Sequence, residues 1–437
     1  MNQTTEALDT RSAATARVAA PSAKRLAAAS MIGTALEWFE FTLYNTMAAL
    51  IFNQLFFPQF DPLAGTILAF STYAVGYLSR PIGGFIFGRL GDKLGRREVL
   101  MLTLVLMGGT TFAIGLLPTY ATLGVWASIL LVALRFIQGV ALGGEWAGAV
   151  LLTAEQATIR NRGFQASWAQ VGAMLGVFSG TVMLTLFTAF VSDDRFVEWG
   201  WRVPFLFSIV VVAFGVWLRR GVPESSEFEK SEKAEAPLKE VFSQHLRSLV
   251  VAAGSRIGSD VMFGFLVAFS LTYITKTLEL SKTLAISAVM IGVAANGIGC
   301  LLFAALSDRI GRRPVYLAGA LTMAVWINVI FMLFETRDPV MVIVAIVVAL
   351  VIHSAMYGPQ ASFVAEQFVT RVRYSGCSLA YTLAGALGGG FAPLIFTTLH
   401  HEFSGTLAIK LYAWAMLAIT VLCVFAAKET ANRPLKS

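Results

Sequence analysis

Apolar residues run along this chain in blocks too long for the core helices of a water-soluble domain. A helix that crosses a bilayer needs roughly 20 mostly apolar residues, at about 1.5 Å rise per residue. Twelve blocks approach or meet that length. They predict helices over Ala27–Phe57, Ala64–Leu90, Val99–Leu117, Thr122–Leu151, Phe164–Val191, Val203–Leu218, Leu249–Thr275, Leu284–Leu306, Val315–Phe334, Val340–Gly358, Ser375–Leu399 and Leu407–Ala427. The widest polar gap, from Arg219 to Arg247, holds Glu224, Glu227, Glu229, Lys230, Glu232, Lys233 and Glu235 and separates six helices from six. The predicted fold is an all-α membrane protein of twelve transmembrane helices in two pseudo-symmetric six-helix bundles. Its expected parts are a polar tail over 1–26, a bundle over 27–220, a central loop over 221–247, a second bundle over 248–428 and a tail over 429–437.

Composition agrees with that pattern. The chain has 437 residues, 57% hydrophobic and 14% charged, and its mean hydropathy is +0.71. So little charge cannot cover the surface of a soluble domain, so lipid must supply the solvent. The net charge of +7 raises the question of nucleic acid, but the distribution answers it differently. With the N-terminus inside, 24 of the 33 Lys and Arg fall in inside loops and tails. Outside loops hold Arg195, Arg202, Lys276, Lys282, Arg337 and Lys410. This bias predicts both termini in the cytoplasm, a bacterial inner membrane as the location, and no nucleic-acid partner. The first apolar run is too long for a signal-peptide core and is expected to stay as the first membrane helix. Cys300, Cys377 and Cys423 lie in apolar runs and read as packing residues. His245, His353, His400 and His401 have no zinc-like spacing to cysteine, so neither a metal nor a cofactor is expected.

The halves repeat. Gly88-Arg-Leu-Gly-Asp92-Lys-Leu-Gly95-Arg96-Arg97 follows the second predicted helix, and Ala304-Ala-Leu-Ser-Asp308-Arg-Ile-Gly311-Arg312-Arg313 follows the eighth. Ala154-Glu155-Gln156 precedes Arg160 and Arg162 after the fourth helix, and Ala365-Glu366-Gln367 precedes Arg371 and Arg373 after the tenth. Two motifs at offsets of 216 and 211 residues imply a duplicated six-helix unit, which places a substrate site between the halves. The loop motif and the E-x6-R pattern resemble signatures of the major facilitator superfamily. Glu37-Trp-Phe-Glu40-Phe, Arg80-Pro-Ile-Gly-Gly, Arg135-x-x-Gln138-Gly139, Gly143-Gly144-Glu145-Trp146, Gly200-Trp201-Arg202, Tyr357-Gly-Pro359-Gln360 and Arg373-Tyr374-Ser375-Gly376 together look like its metabolite:proton symporter family. That family includes shikimate, α-ketoglutarate, citrate and proline/betaine permeases. Its first helix typically carries Asp where this chain has Glu40. The osmolyte permeases often carry a long coiled-coil tail. The ending of this chain within ten residues of Lys428 argues against osmosensing.

Charges inside the apolar runs are the candidate chemistry, because a charge in the bilayer interior costs several kcal/mol and normally faces a wet cavity or a partner. Glu37, Glu40, Arg80, Arg135, Arg256 and Asp260 are in this class. From the cytoplasmic ends, Glu40 lies about 20 Å deep and Arg135 about 22–24 Å, while Glu37 and Arg80 lie about 15 Å deep. These depths allow two acid–base pairs. Glu40 with Arg135 is read as the proton-coupling pair, and Glu37, a further acid of the coupling set, is read mainly as a structural partner of Arg80. Arg256 and Asp260 are four apart on one helix face and can neutralise each other. Substrate contacts are expected from Arg135, Gln138, Arg256, Tyr44, Gln170, Tyr357, Gln360 and Tyr381. Gly139, Gly143 and Ala147, and likewise Gly172, Gly176 and Gly180, repeat every four residues and read as close helix packing.

The resulting expectation is a secondary transporter that carries a small organic acid with a proton by alternating access and functions as a monomer. Shikimate-like, aromatic and di- or tricarboxylic acids are the expected substrates. Asp92, Arg96, Arg97, Glu155, Arg162, Asp308, Arg312, Arg313, Glu366 and Arg373 are expected to form a cytoplasmic gate. In it, the Asp92 loop would pair with the Arg162 region, and the Asp308 loop with Arg373. A proton-driven exporter of drugs or aromatic compounds is the competing reading. A membrane-embedded sensor or enzyme would need a nucleophile elbow, a metal cluster or an effector domain, and the sequence offers none.

Overall fold

Helices follow one another along nearly the whole chain, and a computed structural model describes them over residues 23–60, 62–220, 235–403 and 405–435. The long ones are α1 (Ala23–Leu50), α2 (Pro62–Leu94), α3 (Arg96–Leu116), α4 (Val125–Ala154), α5 (Trp168–Phe190) and α6 (Arg202–Arg220). After them come α7 (Leu246–Thr277), α8 (Lys282–Ile310), α9 (Arg312–Glu335), α10 (Pro339–Ala365), α11 (Thr370–Glu402) and α12 (Leu407–Ala426). Ten of the twelve, α3 to α12, are apolar and long enough to cross a membrane. The other two, α1 and α2, carry Glu37, Glu40 and Arg80 near mid-length. Large apolar side chains such as Leu302, Val325, Met332 and Leu422 face outward, as they must where lipid is the solvent.

Within each half, close approach depends on missing side chains. A Cβ on Gly143 of α4 would run into the Arg80 carbonyl of α2, and one on Gly176 of α5 would run into the Ala35 carbonyl of α1. The two halves meet along α2 with α11 and along α5 with α8, equivalent pairings in a duplicated unit. Two helices of the second half depart from α geometry. α7 contains π-helical turns at Phe265–Phe269 and Tyr273–Thr277, and α11 has one at Gly385–Gly389. Such turns concentrate at functional places, since each leaves the regular backbone ladder.

The sequence pattern departs from the structure at two boundaries. The first apolar run begins at Ala23 and breaks at Ile51, giving a separate short helix, Phe52–Phe56. Part of the expected central loop, 221–234, lies outside the described residues. Its remainder holds a helix, Pro237–Gln244, with proline in its first turn and Leu238 and Val241 buried. A loop this polar hides such a helix, because only a few positions of one face are apolar.

Candidate functional site

At mid-length each half contributes a buried ion pair, and one tyrosine touches both. Arg80 of α2 lies 3.4 Å from Glu37 of α1. Arg256 of α7 lies 3.1 Å from Asp260 one turn on. Tyr381 of α11 donates its hydroxyl proton to Glu37 at 3.1 Å, and its ring lies 4.5 Å from the Arg256 guanidinium. The same guanidinium is 4.7 Å from the ring of Trp146 on α4, which stacks on Tyr381 at 4.7 Å. Arg256 therefore sits on two aromatic faces, one from each half, where ring quadrupoles favour a cation.

Amides extend this cluster across the halves. Gln170 of α5 accepts from Trp146 Nε1 at 2.9 Å and donates to the Tyr357 carbonyl at 3.0 Å and to Gln360 Oε1 at 3.4 Å. Gln360 of α10 also accepts from Arg256 at 2.7 Å and donates to Tyr316 at 2.8 Å. Tyr357 and His353 stack at 5.3 Å beside Phe263, which meets Trp38 of the first half edge-on. His353 is held by Asn296 and Ser259 on opposite ring nitrogens.

A second cluster lies inside the first half. Gln138 stands between the two residues that depth alone had paired directly: its amide donates to Glu40 at 2.7 Å, and its oxygen accepts from Arg135. It also donates to Thr111 at 2.6 Å. The Arg135 guanidinium lies 4.0 Å from the Tyr44 ring and 5.0 Å from that of Phe41. Tyr44 in turn bonds Thr72. The arginine that meets α10 is Arg256, whereas the contacts of Arg135 described above all come from α1 and α4. One-turn spacing explains the difference from the depth argument. Gln138 follows Arg135 by three residues on the same helix face, and a side chain that close intervenes. Glu145 belongs to a third set. It accepts from Arg219 at 2.6 Å and from Thr103 at 2.6 Å, so Arg219 lies buried in the last turn of α6 and not in a loop.

The ten expected gate residues gather at the helix ends that carry the repeated loops, but the pairing between halves is crossed. Asp92, ending α2, accepts from the backbone N–H of Tyr374 at 3.1 Å and Ser375 at 2.9 Å in the first turns of α11. Asp308, ending α8, accepts from the N–H of Gly163 at 2.8 Å and Phe164 at 2.9 Å, in the short helix Arg162–Ala166 before α5. A carboxylate at a helix N-terminus takes up orphan donors and meets the positive end of the helix dipole. Glu155 binds Arg96 at 3.3 Å and Arg373 at 2.9 Å. Its counterpart Glu366 binds Arg312 at 3.2 Å and Arg162 at 3.1 Å. The Asp92 loop thus meets the Arg373 region, and the Asp308 loop meets Arg162, the reverse of the expected partners. α2 packs on α11 and α8 on α5, and this brings each loop to the other half. Arg97 and Arg313 bond within their own halves among the described contacts. They donate to carbonyls at the ends of α6 and α12 in their own halves.

A segment with no signal in the sequence joins this end. Glu429 accepts from the N–H of Arg312 and of Arg313, each at 3.0 Å, and those four-way backbone bonds, with Thr430 and Ala431, hold its carboxyl below the ordinary range. Thr430 donates to Glu366 at 2.5 Å, and the Arg433 carbonyl accepts from Arg162 at 3.1 Å. Trp146, quoted above only within a motif, and Tyr316 and Thr111 were likewise absent from the expected site residues. An uncharged or aromatic side chain in an apolar run carries no mark of the partner it will find.

The chain matches the family model described as Major Facilitator Superfamily over residues 30–271, and the one described as Sugar (and other) transporter over residues 226–437. It is 40% identical to the shikimate transporter of Escherichia coli (strain K12), covering 92% of this chain and 94% of that protein. It is 35% identical to the inner membrane metabolite transport protein YhjE of the same organism, over 95% and 96% of the two chains. Identity to the proline/betaine transporter of Salmonella typhimurium is 33%, over 94% and 85%. Among solved structures, the proton:xylose symporter XylE bound to 6-bromo-6-deoxy-D-glucose superposes with a TM-score of 0.74 at 18% identity, over 94% of this chain and 97% of that one. Its inward open conformation gives 0.64 at 20% identity, over 94% and 98%. At these identities the likeness is one of fold.

Proposed function

The chain belongs to the major facilitator superfamily and is a multi-pass membrane transporter, and from that premise we propose that it carries a small organic anion together with a proton by alternating access. The observation that carries this reading is Arg256. It lies between the halves on Trp146 and Tyr381, with its guanidinium shared by Asp260 and Gln360. A cation placed there, backed by flat rings, suits a carboxylate on a small ring or chain. The relatives agree with a carboxylate: shikimate, proline and betaine each bear one. A zwitterion is the second reading, favoured by the 33% identity to a proline/betaine transporter.

Glu40 is the proposed proton carrier, with Arg135 its cationic neighbour through Gln138. Its Oε1 has no hydrogen-bond partner among the described residues, so a proton has a place to sit without breaking the bond from Gln138 to Oε2. In the proposed cycle, protonation of Glu40 and binding of the anion neutralise the site together, which lowers the cost of moving the loaded carrier past the apolar barrier. The motif ends face the cytoplasm, as the charge bias indicates, and the crossed bonds of Asp92, Asp308, Glu155 and Glu366 close that side. Tyr381 lies on Arg256, Gln170 bonds Gln360 and the Tyr357 carbonyl beside it, and Tyr44 and Gln138 surround Arg135. The test is uptake of labelled shikimate and labelled proline into proteoliposomes, with and without an imposed inward proton gradient. Accumulation of shikimate that requires the gradient is expected. Accumulation of neither compound, or of either without response to the gradient, overturns the proposal.

A further inference from the structure

Four acids lie inside the spans of α1, α4 and α7, three of them buried and Asp260 partly so, and they are not held alike. Glu37 takes bonds from Arg80 and Tyr381. Glu40 is bonded by Gln138. Glu145 is fixed by Arg219 and Thr103, both at 2.6 Å. Each is held by a residue of another helix. Asp260 takes hydrogen bonds only from within its own helix among the described residues, from Arg256 at 3.1 and 3.2 Å, and feels Arg80 of α2 only as a more distant charge. It is also the most accessible of these side chains, 12% exposed, whereas Glu37, in its own ion pair, is fully covered. The order along the helix is unfavourable too. Arginine precedes the acid by four residues, the weaker orientation for such a pair.

Arg256 is anchored in the opposite way. It is 3% exposed, it donates a separate bond to Gln360, and it rests on Trp146 and Tyr381. When one partner of a pair is locked and the other has its hydrogen bonds from that partner alone at a more open position, the second is the one an outside anion can replace. The neighbour on that side is small. A Cβ built on Gly389, in the π-turn of α11, would stand 3.5 Å from the Asp260 Cβ, in ordinary contact, so the glycine leaves about a methyl group of room there.

We propose that Asp260 is an intramolecular stand-in for the carboxylate of the transported anion: it occupies the Arg256 guanidinium in the unloaded carrier and is displaced when substrate binds. The exchange replaces one carboxylate by another on the same cation, so Arg256 is never left buried and bare, a state that would be strongly disfavoured. The role of Asp260 is to set affinity, since substrate must compete with a tethered rival, and to speed release by reclaiming the cation. The inference rests on the reading of Arg256 as the anion contact.

The experiment is rescue by formate, a probe that does not depend on knowing the substrate. In Asp260→Ala the carboxylate is removed and a space of its size is left beside Arg256. Formate, set against chloride at equal ionic strength, is expected to raise the melting temperature of the purified variant by about 2–4 °C and to leave wild type unmoved. The double variant Arg256→Gln with Asp260→Ala should not respond. Absence of any formate effect on Asp260→Ala overturns the proposal even if wild type accumulates organic acids. Rescue in a protein that accumulates no organic acid would instead overturn the transport reading and leave the exchange standing. Should Asp260→Ala not fold, Asp260→Asn in the full-length transporter decides the matter by kinetics. A stand-in predicts a KM for the transported acid several-fold lower with a lower Vmax, whereas a purely structural acid predicts KM unchanged or raised.

Discussion

At the motif end the two halves use the same chemistry twice, and at mid-length they use different chemistry once each. Asp92 and Asp308 both accept two backbone N–H groups from a helix start in the opposite half, and Glu155 and Glu366 both bridge an arginine of each half. At mid-length the first half has Glu40, Gln138 and Arg135, with Glu37 and Arg80 nearby, while the second has Arg256, Asp260 and Gln360. A duplicated closing device can stay symmetric because both halves must part and meet together. A site for one small molecule and one proton has no reason to be symmetric, and on the proposed reading the divergence there separates an anion contact from a proton carrier.

The sharpest way to break that comparison is to remove the proposed proton carrier. Glu40→Gln should lose gradient-driven accumulation altogether while retaining substrate binding and counterflow exchange in proteoliposomes. Accumulation that still follows the gradient moves the coupling role to Glu37, Glu145 or Asp260. Glu37→Gln should keep the gradient response but leave Arg80 with a weakened partner, costing about 3 kcal/mol of stability by the cost of breaking a buried pair. Arg256→Gln tests the other side of the asymmetry. Substrate affinity, measured by isothermal titration, should fall about 30-fold, within the range for truncating a buried hydrogen-bonded charge. Arg135→Gln should act mainly on coupling. Equal loss of affinity in both variants would merge the two clusters into one site.

The symmetric device predicts equal, smaller effects. Asp92→Asn and Asp308→Asn each weaken a charged acceptor of two N–H groups, about 1.5–3 kcal/mol. Each should open the motif end to a thiol reagent about tenfold faster, read on a single cysteine placed at Ser378. A large effect from one variant and none from the other would end the idea of a paired latch. The smallest effect is expected at Glu429, outside the spans, where the carboxylate caps the start of α9. Because its folded pKa is lowered, the stabilisation is present above the unfolded value and disappears as pH falls through the folded one. Glu429→Gln should therefore cost about 1 kcal/mol near neutral pH, typical of a lost N-cap, and nothing in acid. Melting temperatures of both proteins across that range give the difference.

The sequence by itself determined the number of spans, the duplication and which charges must find shelter. These properties depend on local composition and on repeats that any stretch of chain displays before it folds. Blocks of about 20 apolar residues need no neighbour to prefer lipid, and Asp92 and Asp308 announce themselves by their shared motif. Two partnerships were legible as well, Glu37 with Arg80 by depth and Arg256 with Asp260 by helical spacing; the others were decided only by tertiary structure. Depth placed Glu40 level with Arg135, but rotation about each helix axis brought Gln138 between them. The motif loops looked like partners within a half until α2 packed on α11 and α8 on α5. Arg219 read as a loop residue until α6 ran on to include it and turned it to Glu145, and Glu429 read as tail until it capped α9. The physical reason is common to all four cases. An ion pair or hydrogen bond acts over about 3 Å, so it depends on which helix faces meet and at what rotation, and that is fixed by packing between segments far apart in the chain.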